Sequence, residues 1–202
     1  MKMPIFTTFV LFIVVLTARL HFLTKKEGDS IKDFWKKEAL ANSTKMKDIS
    51  NLDYVVVPDD LPLHSEINDE RLQENIRIIE ELKDKKILNL TGMTNTEIKL
   101  EYGAPNLTRL TEYDLNYTSL VRSIAKIGEI YLSLDMKEDA ITILNYGISI
   151  NTDVRLNYEL LASIYATDQR YDKINELKSK AETLNSLSKD PILRSLDRLF
   201  PV

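Results

Sequence analysis

Apolar positions fall into helical stripes over most of the chain. Leu72, Ile76, Ile79 and Leu82 recur at three- and four-residue spacing with Glu, Arg and Lys between them, which predicts a helix opening at Ser65 or Asn68 and running to about Lys85. Thr94-x-x-Glu97 has the form of a capping box, and Gly103 stands ahead of Pro105 as a stop, so a short helix is expected over 94–102. From about Glu112 to Leu134 a longer stripe is carried by Tyr113, Tyr117, Leu120, Val121, Ile124, Ile127, Tyr131 and Leu134. Asp190-Pro191 places an N-cap before a proline at the first helical position. Ile192, Leu193, Leu196, Leu199 and Phe200 would form that last helix's buried face. One stretch breaks the pattern: Tyr54–Val57 is β-prone and is closed by Pro58 and Pro62. A lone strand has no sheet to join, so an extended arm lying on the helices is expected, in preference to pairing with a partner's sheet edge.

At the N-terminus the stripe gives way to an unbroken apolar run. Pro4–Leu23 is long enough to cross a hydrocarbon core of ~30 Å as a helix, and Ile5–Ala18 holds no charge. The run reads as a retained transmembrane helix, because Leu16 and Ala18 make a poor small-x-small site for cleavage of a signal peptide. Arg19 and His21 fall near its end, where long side chains can snorkel to the interface, and Lys25, Lys26, Lys32, Lys36 and Lys37 follow, against Lys2 before it. By the positive-inside rule the domain beyond is then cytoplasmic, the alternative being extracytoplasmic. A helix from Asp29 to about Ala41 is expected next. Its Ile31, Phe34 and Trp35 either lie at headgroup depth or pack on the domain.

Ile124-x-x-Ile127-Gly128-x-x-Tyr131 returns as Tyr158-x-x-Leu161-Ala162-x-x-Tyr165, and Ala140 and Gly147 return as Ile174 and Ala181. Each pair is offset by about 34 residues, and residues 121–188 thereby resemble two repeats of the tetratricopeptide (TPR) family. Gly128 would sit at the close contact within the first helical pair, with Tyr131, Ala140, Leu144 and Gly147 around it. Leu161, Ala162, Tyr165, Tyr171, Ile174, Leu177 and Ala181 would serve likewise in the second. Ile124, Lys178, Thr152 and Ser186 depart from the family's aromatic and proline positions, which blurs the repeat boundaries. Together with the apolar run, the resemblance gives an all-α expectation: a transmembrane helix at 4–23 and a juxtamembrane helix and linker at 24–64. Capping helices at 65–120, the α-solenoid pairs at 121–188 and a closing helix at 189–202 follow. It also implies a partner-binding face on the first helix of each pair, here Arg122, Ala125, Lys126, Glu129 and Leu132, then Leu156, Glu159 and Ser163. That set lacks the Lys/Asn combination with which chaperone-binding TPRs hold a carboxylate. The combination is similar to small membrane-anchored TPR proteins of bacteria, and Asn89–Tyr117 resembles a bacterial group to which no activity is assigned.

Charge sharpens the partner expectation. The net charge of −4 divides into +4 over residues 1–50, from nine Lys/Arg and five Asp/Glu, and −8 over the remainder, from 18 and 26. An acidic domain without a basic stripe is a poor nucleic-acid binder, whereas the basic flank of 4–23 suits anionic lipid. There is no cysteine, hence no disulfide or thiolate chemistry. His21 and His64 have no spaced partners for a metal or a catalytic triad, and the five glycines are too scattered to cradle phosphate. No enzyme activity, cofactor or small-molecule substrate is expected. Asn42, Asn89, Asn106 and Asn116 head N-x-S/T triplets that read as chance in a cytoplasmic domain. The expectation is a membrane-anchored scaffold or adaptor for a protein or peptide partner, with an exported envelope-complex subunit as the alternative.

Overall fold

Helices account for every regular element in the computed structural model, which describes residues 4–198; the side chains of 4–7, 14, 18 and 20–30 lie outside that description. In chain order they are α1 Pro4–Ser43, α2 Glu70–Lys83, α3 Asn95–Tyr102, α4 Leu107–Ser133, α5 Lys137–Ser149, α6 Arg155–Thr167, α7 Tyr171–Glu182 and α8 Lys189–Asp197, with a 3-10 turn at Ala104–Asn106. No strand forms among the described residues. The chain divides into two compact units, Met1–Lys47 with Thr94–Leu107, and Asp48–Met93 with Thr108–Val202.

In the first unit α1 is one helix of 40 residues. The fresh start expected at Asp29 is absent, because nothing at Gly28-Asp29 interrupts the helical backbone. Among the described residues no helix is long and apolar enough to cross a membrane, so the expected span at 4–23 draws no support from this description, and several of its side chains fall outside it. α3 packs on the last turns of α1. Its capping box forms as expected, with the Glu97 N–H donating to Thr94 Oγ1 at 3.3 Å and the Thr94 N–H to Glu97 Oε2 at 2.8 Å. Gly103 ends it at φ 93°. A Cβ there would lie 2.3 Å from the Lys45 carbonyl oxygen, so backbone runs directly over backbone and only glycine fits. Asn106 Nδ2 donates to the carbonyls of Lys47 and Tyr102, both at 2.8 Å. Lys99 reaches back to Glu38 and Asn42. Hydrogen bonds from Lys99 and Thr96 hold the Glu38 carboxyl below its ordinary range.

The second unit holds the core. Leu72, Ile76, Ile79 and Leu82 of α2 are buried as their spacing predicts, though the helix opens later than expected, at Asp69, whose carboxylate accepts from the Arg71 and Leu72 amides. α4 buries Tyr117, Leu120, Val121, Ile124, Ile127 and Tyr131. Leu134 falls beyond its end and is exposed, as is Tyr171 at the start of α7. Segment 54–64 is irregular, with a turn at Asp59-Asp60 and a bend at Leu61: Val55 donates to the Ile87 carbonyl at 2.9 Å, and Val57 is buried while Val56 faces out. α8 begins at Lys189, so Asp190 and Pro191 sit inside its first turn. It buries Ile192 and Leu196 against α6 and α7; Leu199 and Phe200 lie outside the described residues.

The helical pairs repeat in their turns as well as their stripes. After α4, Asp135 takes φ 60°, and 34 positions later, after α6, Gln169 takes φ 57°. In each, the next amide closes a six-residue loop, Met136 N–H to the Tyr131 carbonyl at 2.8 Å and Arg170 N–H to the Tyr165 carbonyl at 2.7 Å. These are Schellman stops. A third joins α5 to α6, with Asn151 at φ 61° and Thr152 N–H on the Gly147 carbonyl at 3.1 Å.

Candidate partner-binding surfaces

Gly128 lies against α5: a Cβ there would meet Leu144 Cδ2 at 2.5 Å. Gly147 of α5 is equally tight, its Cβ position 2.7 Å from Asn157 Oδ1 and 3.1 Å from Ile124 Cγ2. These two small residues let α4 and α6 pack closely on α5.

The expected face on α4 and α6 is brought together only in part. Arg122, Lys126, Glu129 and Ser163 are exposed, and Leu132, Leu156 and Glu159 are half-buried. Ala125 is 1 % exposed and belongs to the core, so it offers a partner nothing. Lys126 pairs with Glu129 at 2.8 Å. Glu159 is engaged by Arg155 Nε at 3.2 Å and by the Ser195 hydroxyl of α8 at 2.5 Å. Leu132 and Ser163 share a cleft of about 200 Å³ with Asp135, Lys137, Ile164 and Thr167.

A larger opening, a groove of about 900 Å³, is lined by residues of α5 and α7 with Tyr165 of α6. Ile141, Ile148, Tyr165 and Leu177 form its apolar floor, and Asn145, Arg170, Lys173, Glu176 and Lys180 its rim. Asn145 Nδ2 donates to the Tyr165 hydroxyl at 3.2 Å. The Arg170 guanidinium lies 5.1 Å from the Tyr165 ring centre, where the ring's electron-rich face attracts it. Lys173 is paired with Glu176, which raises the lysine's pKa. Sequence reasoning passed this groove over. The available signal was Ile141, an apolar residue beside the stripe of Ala140, Ile143, Leu144 and Gly147 whose counterpart 34 positions on is Asn175.

His64 is better partnered than its isolation in sequence suggested. Its Nε2 lies 3.1 Å from Asp139 Oδ2 of α5 and its Nδ1 3.2 Å from Glu66 Oε1. Its backbone N–H donates to the Tyr131 hydroxyl at 3.2 Å, and that hydroxyl donates to the Pro62 carbonyl at 2.5 Å. With its hydroxyl spent on the backbone on both counts, Tyr131 clasps the arm. Tyr146 holds the same arm at the Val56 carbonyl, 3.2 Å away. No group of three or more His, Cys, Asp or Glu that could hold a metal occurs among the described residues. No family model matches the chain, and no curated protein or solved structure matches it either.

Proposed function

We propose that this chain is a membrane-anchored scaffold or adaptor, with TPR-like helical pairs that hold a protein or peptide partner. The observation that carries this is the 34-residue recurrence of the Asp135 and Gln169 turns, together with a groove lined by residues of both α5 and α7. Repeats of this kind contact only their neighbours and offer extended surfaces. A groove of about 900 Å³ has the volume of roughly two turns of a helix ~10 Å across. Its apolar floor with a rim of both charges suits an amphipathic helix laid in it.

The anchor rests on α1. Phe9, Val10, Leu11, Phe12, Ile13, Val15 and Leu16 are all exposed and point to every side of the helix. Apolar side chains all round a helix suit a lipid surrounding and no one-sided protein contact. The Thr17 hydroxyl donates to the Ile13 carbonyl at 2.8 Å, which satisfies it without water. The lysines that follow the run favour a cytoplasmic domain.

A photo-cross-linking amino acid placed at Ser179, in the groove, and at Ser163, on the α4–α6 face, tests the partner site in cells. A discrete protein adduct from Ser179 that Ile141→Lys abolishes is the expected result. An adduct from Ser163 alone moves the site to the α4–α6 face, and none from either position overturns the scaffold reading.

A further inference from the structure

The continuity of α1 has a consequence for its exposed aromatic face. Ile31, Phe34 and Trp35 are 57 %, 54 % and 63 % exposed. They adjoin on one side of the helix, with the Phe34 and Trp35 rings edge to face at 5.3 Å. One turn further on, the same side meets α3 through Glu38, which Lys99 and Thr96 engage, and through the buried Ala41. α3 has eight residues and ends its cover there, so Trp35, Phe34 and Ile31 lie beyond it uncovered.

Lipid cannot be the cover if α1 spans the bilayer from Pro4 to Leu23. Trp35 lies twelve residues beyond Leu23 in the same unbroken helix, which is ~18 Å at ~1.5 Å per residue. The headgroup layer extends only about 5–8 Å past the hydrocarbon, and an ordinary tilt of ~20° shortens the rise by only about 1 Å. The patch therefore stands roughly 10 Å clear of the membrane surface. A protein surface at that fixed height must cover it.

We infer that this surface is the same face of a second copy, the two α1 helices lying parallel in one membrane. Two copies anchored by the same run carry the patch at the same height and in the same orientation, as an isologous contact requires. The area agrees with a contact that depends on the membrane. Three side chains little more than half exposed offer about 400 Å² per copy, about 800 Å² in all, below the ~1,200–2,000 Å² of interfaces stable in solution. Confinement to a plane raises the effective concentration and makes up the difference.

This inference rests on the anchored reading, and the experiment separates the two. The chain has no cysteine, so Ile31→Cys or Leu40→Cys gives one thiol, on the patch or on the opposite side of the helix. Membranes carrying the full chain are oxidised with copper–phenanthroline and run on a non-reducing gel. A disulfide-linked dimer is expected several-fold more abundant from Ile31→Cys than from Leu40→Cys, and it should fall several-fold when Phe34→Ser and Trp35→Ser are added. Equal yields, no dimer, or an Ile31→Cys adduct only to a different protein overturns the second copy as occupant. Alkaline extraction of the same membranes reports on the anchor alone. Chain released to the supernatant overturns the anchored reading and the inference with it, whereas chain that stays in the pellet without a face-dependent dimer overturns only the inference.

Discussion

Gly128 shows what one missing side chain does. Its Cβ position is 2.5 Å from one Leu144 methyl and 2.6 Å from Leu144 Cγ, and Leu144 is fully buried. Gly128→Leu should therefore overpack the α4–α5 contact and cost about 1–3 kcal/mol, read as a lower urea midpoint with unchanged slope. An unchanged midpoint would show that the two helices have room to part. This residue was legible in the sequence, since a small residue recurring at the same point of two helical pairs has few explanations besides close approach. Asn157 was not. It is fully buried, its Nδ2 donating to the Leu144 carbonyl at 2.8 Å while Oδ1 has no hydrogen-bond partner; a polar residue beside an apolar stripe reads as surface until the neighbouring helix is in place. Gln169 was equally silent. It holds φ 57° without the freedom of glycine, a conformation costing about 1–2 kcal/mol for a residue with a Cβ. Glycine's greater unfolded entropy takes back roughly 0.5–1 kcal/mol, so Gln169→Gly should stabilise by up to about 1 kcal/mol. A lower midpoint would mean that the Gln169 side chain supplies more than its backbone conformation costs.

At the scale of elements, stripes forecast which helices exist and which face they bury, and end signals forecast their limits less well. Both Ser65 and Asn68 are plausible caps, yet Asp69 takes the position because Ser65–Asn68 is drawn into the approach of the arm, with Gln73 Nε2 on the Ile67 carbonyl at 3.1 Å and His64 held by Asp139. Local chemistry cannot reveal that choice, since Asp139 is 75 residues away. That the β-prone run would lie on the helices without forming a strand was legible, but the turn at Asp59-Asp60 and the arm's fastening were not. Hydroxyls fasten it in place of a sheet, so Tyr131→Phe should release both the Pro62 carbonyl and the His64 amide. The expected cost is about 1–2 kcal/mol for two hydrogen bonds, with faster amide exchange at His64 as the local readout. Stability loss without faster exchange there would place the damage in the core instead. Alkali should act on the same fastenings. Tyr146 and Tyr158 are pushed up to about 12 by burial, and burial raises Tyr117 and Tyr131 too. Each of the four donates to a backbone carbonyl, those of Val56, Thr152, Ile150 and Pro62, which a phenolate cannot do. Raised values mean that the folded state keeps these protons longer than the unfolded chain. Their contribution is complete below pH 10, the ordinary tyrosine value, and is lost as pH climbs towards 12. Tyrosinate absorbance from these residues should rise together with loss of helical circular dichroism. Ionisation completed well before the helices melt would show that the four hydroxyls are open to water.

For the molecule as a whole, the sequence carried the class of fold, because 3.6-residue periodicity needs no tertiary knowledge. The open surfaces depended on which faces neighbours leave uncovered, and so the α5–α7 groove emerged only from the packed helices. Sidedness is the remaining property that the chain writes in its charges. Arg19 at the end of the apolar run and Lys25, Lys26, Lys32, Lys36 and Lys37 after it outnumber Lys2 before it, an imbalance that, on the anchored reading proposed above, predicts a cytoplasmic domain. With no native cysteine, one introduced thiol reports the side on which the domain lies, provided it stands in water. Ser186 serves poorly, since its hydroxyl is bonded to Asp153. Leu187, beside it, is 100 % exposed, so Leu187→Cys should react fully without disturbing that contact. Treated with a membrane-impermeant maleimide, intact cells should leave it unlabelled and lysed cells should label it to completion. Labelling in intact cells would place α2 to α8 outside the cytoplasm. The exported envelope subunit would then be the better reading, and the groove's partner would be sought on the outer side of the membrane.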